Sequence, residues 1–123
     1  MAADNFSEWQ RIRQYIHQHP ELSFEEYNTA TFVSQQLDAW GIKHTTGIAG
    51  TGIVGVLEGR NPGKRCIAIR AELDALPILE ANDVLYKSKN EGVMHACGHD
   101  VHMTCLLGVL RILSVIKRNG KAN

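Results

Sequence analysis

Apolar residues fall on one helical face across residues 4–17, where Phe6, Trp9, Ile12 and Ile16 are spaced three or four apart. The helix must break at His19-Pro20, because the residue before a proline is pushed out of the α region. Ser23-Phe24-Glu25-Glu26 reads as a capping box, with Ser23 as N-cap and Glu26 reaching back to it. The helix it opens is expected to turn Tyr27, Ala30, Val33, Leu37 and Trp40 inward. Gly41 should close it in the left-handed conformation that glycine tolerates.

The texture changes after Gly41. Residues 42–46 make a short strand candidate and residues 47–52 a glycine-rich bend. Two apolar runs of strand length follow at 53–57 and 66–69, separated by the turn Gly59-Arg60-Asn61-Pro62-Gly63. Their apolarity is continuous rather than alternating, which predicts strands covered on both faces in an α/β layer. Residues 81–94 are polar and aperiodic, a loop leading to His95. From residue 100 to about 118 the apolar side chains cover most of the helical circumference, which predicts a buried helix with Lys117 and Arg118 suiting its C-terminal end. The expected fold is α/β, with two N-terminal helices, two to three strands and one buried C-terminal helix.

A chain of 123 residues suffices for one domain. Lysine plus arginine and aspartate plus glutamate both number 13, so nothing in the net charge argues for nucleic acid or an anionic membrane as partner. No basic patch precedes an apolar run at the start, so no signal peptide is expected. The apolar run 101–116, interrupted by Arg111 and Ser114, reads as too short to span a bilayer. Cys66, Cys97 and Cys105 form an odd, sparse set, which argues against a disulfide framework and for a cytoplasmic setting.

Candidate chemistry is concentrated in His95-Ala96-Cys97-Gly98-His99-Asp100-Val101-His102. Packing alone does not call for three imidazoles, a thiol and a carboxylate within eight positions, whereas borderline transition metals take these very ligands. Gly98 lets the backbone bend so that Cys97 and His99 can face one ion. Asp100 falls where the next helix should begin, as its N-cap, alone or alongside a metal role. His102 lies three residues after His99 and is open to ligation, to support of a ligand or to substrate contact. His95 is the least constrained, and Cys105 reads as a small buried apolar residue. A second polar island, Arg70-Ala71-Glu72-Leu73-Asp74-Ala75-Leu76-Pro77, follows an apolar run at its carboxyl end. Its two carboxylates either ligate or orient a ligand, or else Asp74 and Pro77 form an ordinary turn.

The eight-residue run, followed by Leu106-Leu107-Gly108, resembles the signature of the M20 metallopeptidase family. The closest branch is the amidohydrolases of N-acyl amino acids, which include hippurate and auxin-conjugate hydrolases. His17-Gln18-His19-Pro20-Glu21-Leu22-Ser23-Phe24 and Arg70-Ala71-Glu72-Leu73-Asp74-Ala75-Leu76-Pro77-Ile78 look like two further family segments in the right order. The resemblance implies a zinc-peptidase-like three-layer sandwich, present only in part, and a centre for one or two divalent ions, manganese or zinc. By motif position Cys97 and His99 are the implied metal ligands, and Asp74 matches the acidic residue that orients a metal-binding histidine. Glu72 stands where this branch usually has aspartate.

The implied reaction is metal-assisted amide hydrolysis of a small N-acyl amino acid or peptide, with a glutamate as general base. In the family that glutamate, further ligands and a dimerising lid domain lie further along the chain. Residues 1–123 are therefore expected to be the N-terminal part of a catalytic domain, with little or no hydrolysis when isolated and a tendency to form homo-oligomers. The alternative expectation is a non-catalytic module that binds metal or self-associates.

Overall fold

The computed structural model describes residues 5–120, with side chains through residue 117. Helix α1 spans Phe6–Gln18, and His19-Pro20 ends it as the sequence predicts. The expected start at Asp4 and the expected role of Arg118 lie outside the described residues. Helix α2 spans Tyr27–Ala39, strands β1 and β2 span His44–Ile48 and Gly52–Gly55, and helix α3 spans His99–Gly120. A long connection without regular strands carries the chain from β2 to α3.

Burial of one stripe from each helix makes the core. Ile12 and Ile16 of α1 meet Phe32, Val33 and Leu37 of α2, together with Ile42 and with Met103 and Leu107 of α3. Trp9 packs edge-on against Trp40 with ring centroids 6.1 Å apart. Phe6, on the same predicted stripe, is exposed instead. The inward face of α2 also differs from expectation: Tyr27 is exposed, while Phe32 is buried and stacks on Tyr15.

The capping box does not form. Helix α2 begins at Tyr27 without a side-chain cap from its own N-cap residue, and the Ser23 hydroxyl donates to Asp74 instead. Glu21 supplies the missing acceptor, taking the backbone N–H groups of Asn28 and Thr29 and the Thr29 hydroxyl. A carboxylate there satisfies two of the orphan donors of the first turn. At the other end the expectation holds. Gly41 has φ +68°, its N–H reaches the Asp38 carbonyl, and the Ile42 N–H reaches the Leu37 carbonyl, a Schellman closure.

The bend expected at 47–52 is the bulge and turn of a hairpin. Strands β1 and β2 pair antiparallel, with an irregular register between Thr45 and Ile48, and the chain reverses through Ala49 and Gly50 at positive φ. Most of the hairpin faces solvent, so the expected strands covered on both faces are not found. Residues 66–69 form no strand, and Ile67 is 87% exposed. An apolar run becomes a strand only beside an edge that can hydrogen-bond to it, and no ladder forms there among the described residues.

Helix α3 also departs from expectation. It packs on α1 and buries Met103, Thr104, Leu107 and Ser114, yet Val101, Val109, Leu113 and Ile116 are exposed. Its apolar circumference therefore meets a partner on one side only. Cys105, expected inside, lies on the open side. The stretch His99–Lys117 is also long and apolar enough to cross a membrane, whereas the apolar run 101–116 alone reads as too short for a span, although the helix itself is expected over about the right residues. Its first turn, however, buries Asp100 against α1, which is the behaviour of a helix packed in a protein core.

Ile12 is fully buried at the centre of the three-helix contact, so Ile12→Ala should cost about 2–5 kcal/mol through lost transfer energy and a residual cavity. Ile67→Ala, on open backbone, should change stability by no more than about 0.5 kcal/mol. Urea unfolding of the two variants beside the parent chain measures this difference directly.

Candidate metal centre

Three side chains from two distant segments converge at the start of α3. Glu72 arrives from the extended connection, and His99 and His102 come from the first turn of α3, one helical turn apart. One ligand atom from each lies within 4.8 Å of the other two. Gly98, at φ +105°, lets the chain enter the helix sharply enough to place His99 at its first position. The His99 and His102 rings have centroids 5.8 Å apart.

The group behind His99 fixes its tautomer. Nδ1 lies 2.8 Å from the Asp74 carbonyl oxygen and 3.1 Å from Asp74 Oδ1. Both are acceptors, so Nδ1 carries the proton and Nε2 keeps its lone pair. His102 Nδ1 faces Glu72 Oε2 at 3.4 Å. The Glu72 carboxyl is held below its ordinary range, first by its own backbone N–H and then by His102. Two imidazoles with an ionised carboxylate suit a borderline divalent ion, and three protein donors leave positions open for other molecules. The residues present therefore fit such an ion. An open cleft of about 310 Å³ borders Glu72 and Asp74, with Ser23, Phe24 and Arg70 among its walls.

A second polar cluster lies beneath the first turn of α3. His17 is 3% exposed, with Nδ1 2.8 Å from Asp100 Oδ2 and Nε2 3.0 Å from Glu80 Oε2. Arg13 Nε donates to the same Asp100 oxygen at 3.0 Å. Burial pushes the Glu80 carboxyl up, but hydrogen bonds from His17, the Ser88 N–H and Asn82 outweigh it and hold the group below its ordinary value. His95 is buried, with neither ring nitrogen hydrogen-bonded, and its pKa is lowered to about 4, chiefly by burial.

Residues 68–123 match the family model of peptidase family M20/M25/M40. Over this segment the chain is similar to the M20 peptidase family. It is 47% identical to the hippurate hydrolase of Campylobacter jejuni over 94% of its own length and 30% of that protein's. Identity to the N-acyl-L-amino acid amidohydrolase of Geobacillus stearothermophilus is 48%, covering 85% of this chain and 28% of that enzyme. The crystal structure of the Bacillus subtilis YXEP protein, described as a dinuclear metal-binding peptidase of the M20 family, superposes with a TM-score of 0.89 at 35% identity. That match covers 95% of this chain and 33% of that one. The chain thus spans roughly a third or less of the length of these M20 relatives.

Of the site residues expected from the sequence, the structure brings His99 and His102 together and sets Asp74 against His99. Cys97 is exposed and is not one of the three converging donors. Asp100 is not an N-cap. It lies within the first turn of α3 with its carboxylate buried on His17 and Arg13. Glu72 was legible as one of two nearby carboxylates and, by the resemblance, as the residue standing where the branch usually has aspartate, but its approach to His102 crosses 30 residues. The pairing of His17 with Glu80 went unread for the same reason, although His17 stands in a quoted family segment.

The unfolded chain titrates His95 near its ordinary value of 6.5, whereas the folded chain holds it neutral down to about 4. Between those values the unfolded state binds more protons, so stability is full above 6.5 and falls as the pH drops toward 4. His95→Phe, which cannot titrate, should flatten that slope in urea midpoints measured across the same range. Glu80 contributes only lower down, its stabilisation being lost as the pH falls below 4.5.

Proposed function

We propose that this chain is the N-terminal part of the catalytic domain of a cytoplasmic, metal-dependent amidohydrolase that cleaves the amide bond of N-acyl amino acids or small peptides. The observation that carries the reading is the convergence of Glu72, His99 and His102, with His99 oriented by Asp74. Its support in substrate terms is the likeness to proteins named hippurate hydrolase and N-acyl-L-amino acid amidohydrolase. Glu72, His99 and His102 would hold a manganese or zinc ion. Cys97, two residues before His99, is proposed as a further ligand by its place in the motif. The YXEP protein's description as dinuclear supports a second ion in the complete enzyme.

A divalent ion in such a site supplies Lewis acidity toward an amide carbonyl and toward water. The chain's own residues set the conditions for that chemistry. Asp74 holds the proton of His99 on Nδ1 and so keeps Nε2 free to ligate. Glu72 stays ionised and contributes the negative charge that a cation requires. The cleft beside Glu72 and Asp74 offers a small polar substrate access from solvent. The general base is proposed to lie outside these 123 residues, a reading that rests on the family resemblance.

Titration calorimetry with manganese and zinc tests the centre. Asp74→Ala should weaken binding about 10–100-fold, and His99→Ala should weaken it further. The isolated chain, supplied with either metal and an N-acyl amino acid, should show no hydrolysis above background. Clear metal-dependent turnover would overturn the placement of the base.

Self-association is a second proposed property, favoured by the exposed Ile67, Val109, Leu113 and Ile116. Light scattering should show the weight-average mass rising with concentration, and a constant monomer mass would count against it.

A further inference from the structure

We infer that His17 is a positioning residue for the metal centre: held between Asp100 and Glu80, it fixes the turn of α3 that carries His99 and His102. The inference rests on the metal reading above and adds a residue that touches none of the three donors.

The argument begins with the environment of the ring. Both carboxylates facing His17 are buried, with side chains only 1% exposed. Burying charged groups is costly, and apolar residues of similar volume often stabilise a core as well as a buried ion pair does. Stability therefore does not account for the arrangement, whereas direction does. A hydrogen bond fixes orientation in a way that apolar contact cannot. Asp100 is adjacent to His99 in sequence, so holding its carboxylate fixes how the first turn of α3 is rotated, and both ligand rings turn with it. Arg13, one helical turn before His17, secures the same Asp100 oxygen. Glu80 locks the far side of the His17 ring and is itself tied to the Ser88 N–H and Asn82.

The opposite half of the centre is referenced to the same stretch of chain. The Ala75 N–H donates to the Glu21 carbonyl at 2.8 Å, Leu22 bridges Ala75, and the Ser23 hydroxyl reaches Asp74. Asp74 in turn holds His99. Residues 17–23 thus fix both the helical turn bearing the imidazoles and the carboxylate that orients one of them. Removing the His17 ring leaves the partly exposed Arg13 to hold the α3 side of this frame and keeps the Asp74 side in place.

The test uses cobalt(II) as a spectroscopic probe in the protein at its full length, with urea unfolding measured in parallel. His17→Phe should stay folded, bind cobalt about 10-fold or more weakly and show an altered visible spectrum, as expected when a group behind a ligand is lost. His17→Gln, whose amide still donates, should recover much of the affinity. A purely structural role would lower the urea midpoint and leave cobalt affinity and spectrum as in the parent, and that result overturns the inference. Should His17→Phe fail to fold, Glu80→Gln decides: it keeps the shape and removes the charge behind the ring, and unchanged cobalt binding would again overturn it. No binding by the parent protein would overturn the metal reading itself, which separates that failure from failure of the positioning role.

Discussion

The buried contact between His17 and Asp100, 2.8 Å long, is the constraint on which the arrangement of the centre depends. Apolar packing of α1 on α3 sets the distance between the helices, but Ile and Leu contacts tolerate sliding and rotation. A hydrogen-bonded carboxylate inside the same interface does not. Moving Asp100 by one side-chain width would leave a carboxylate unpaired in a site where water is excluded, at a cost of about 3–5 kcal/mol. That penalty selects a single rotation of α3, and His99 and His102 follow from it because they stand on either side of Asp100 in the same turn.

How much of this was legible in the sequence depends on how far apart the partners are. Helices α1 and α2, the break at His19-Pro20 and the closure at Gly41 are set by neighbours within four or five residues, and periodicity exposes them. The capping box failed although its letters are right, because Ser23 had a better acceptor in Asp74, 51 residues away. Residues 66–69 have strand composition but no pairing edge, and composition cannot report an edge. For the centre, the dense run ending at His102 pointed to a candidate metal site on its own. It could not announce Glu72, which enters through the fold, or show that Asp100 would turn inward to His17 rather than cap its own helix.

Two kinds of interaction divide helix α3. Its polar first turn is satisfied: Asp100 has two partners, His99 has Asp74, and the Thr104 hydroxyl donates to the Asp100 carbonyl. Its apolar body is not, with Val109, Leu113 and Ile116 open to solvent. The chain spans 33% of the matched M20 structure, yet that match covers 95% of the chain with a TM-score of 0.89. Apolar burial is non-directional, so whatever covers the open face of α3 adds stability without dictating the rotation of its first turn. The turn is dictated by carboxylates and imidazoles whose partners all lie within residues 13–104. The donor geometry is then a local property of the polar frame, while the overall stability of the fold is a property of the apolar surface. A substitution on the open face of α3 should therefore act on stability and leave the donor geometry intact, whereas one at Asp74, His17 or Asp100 acts on the geometry first.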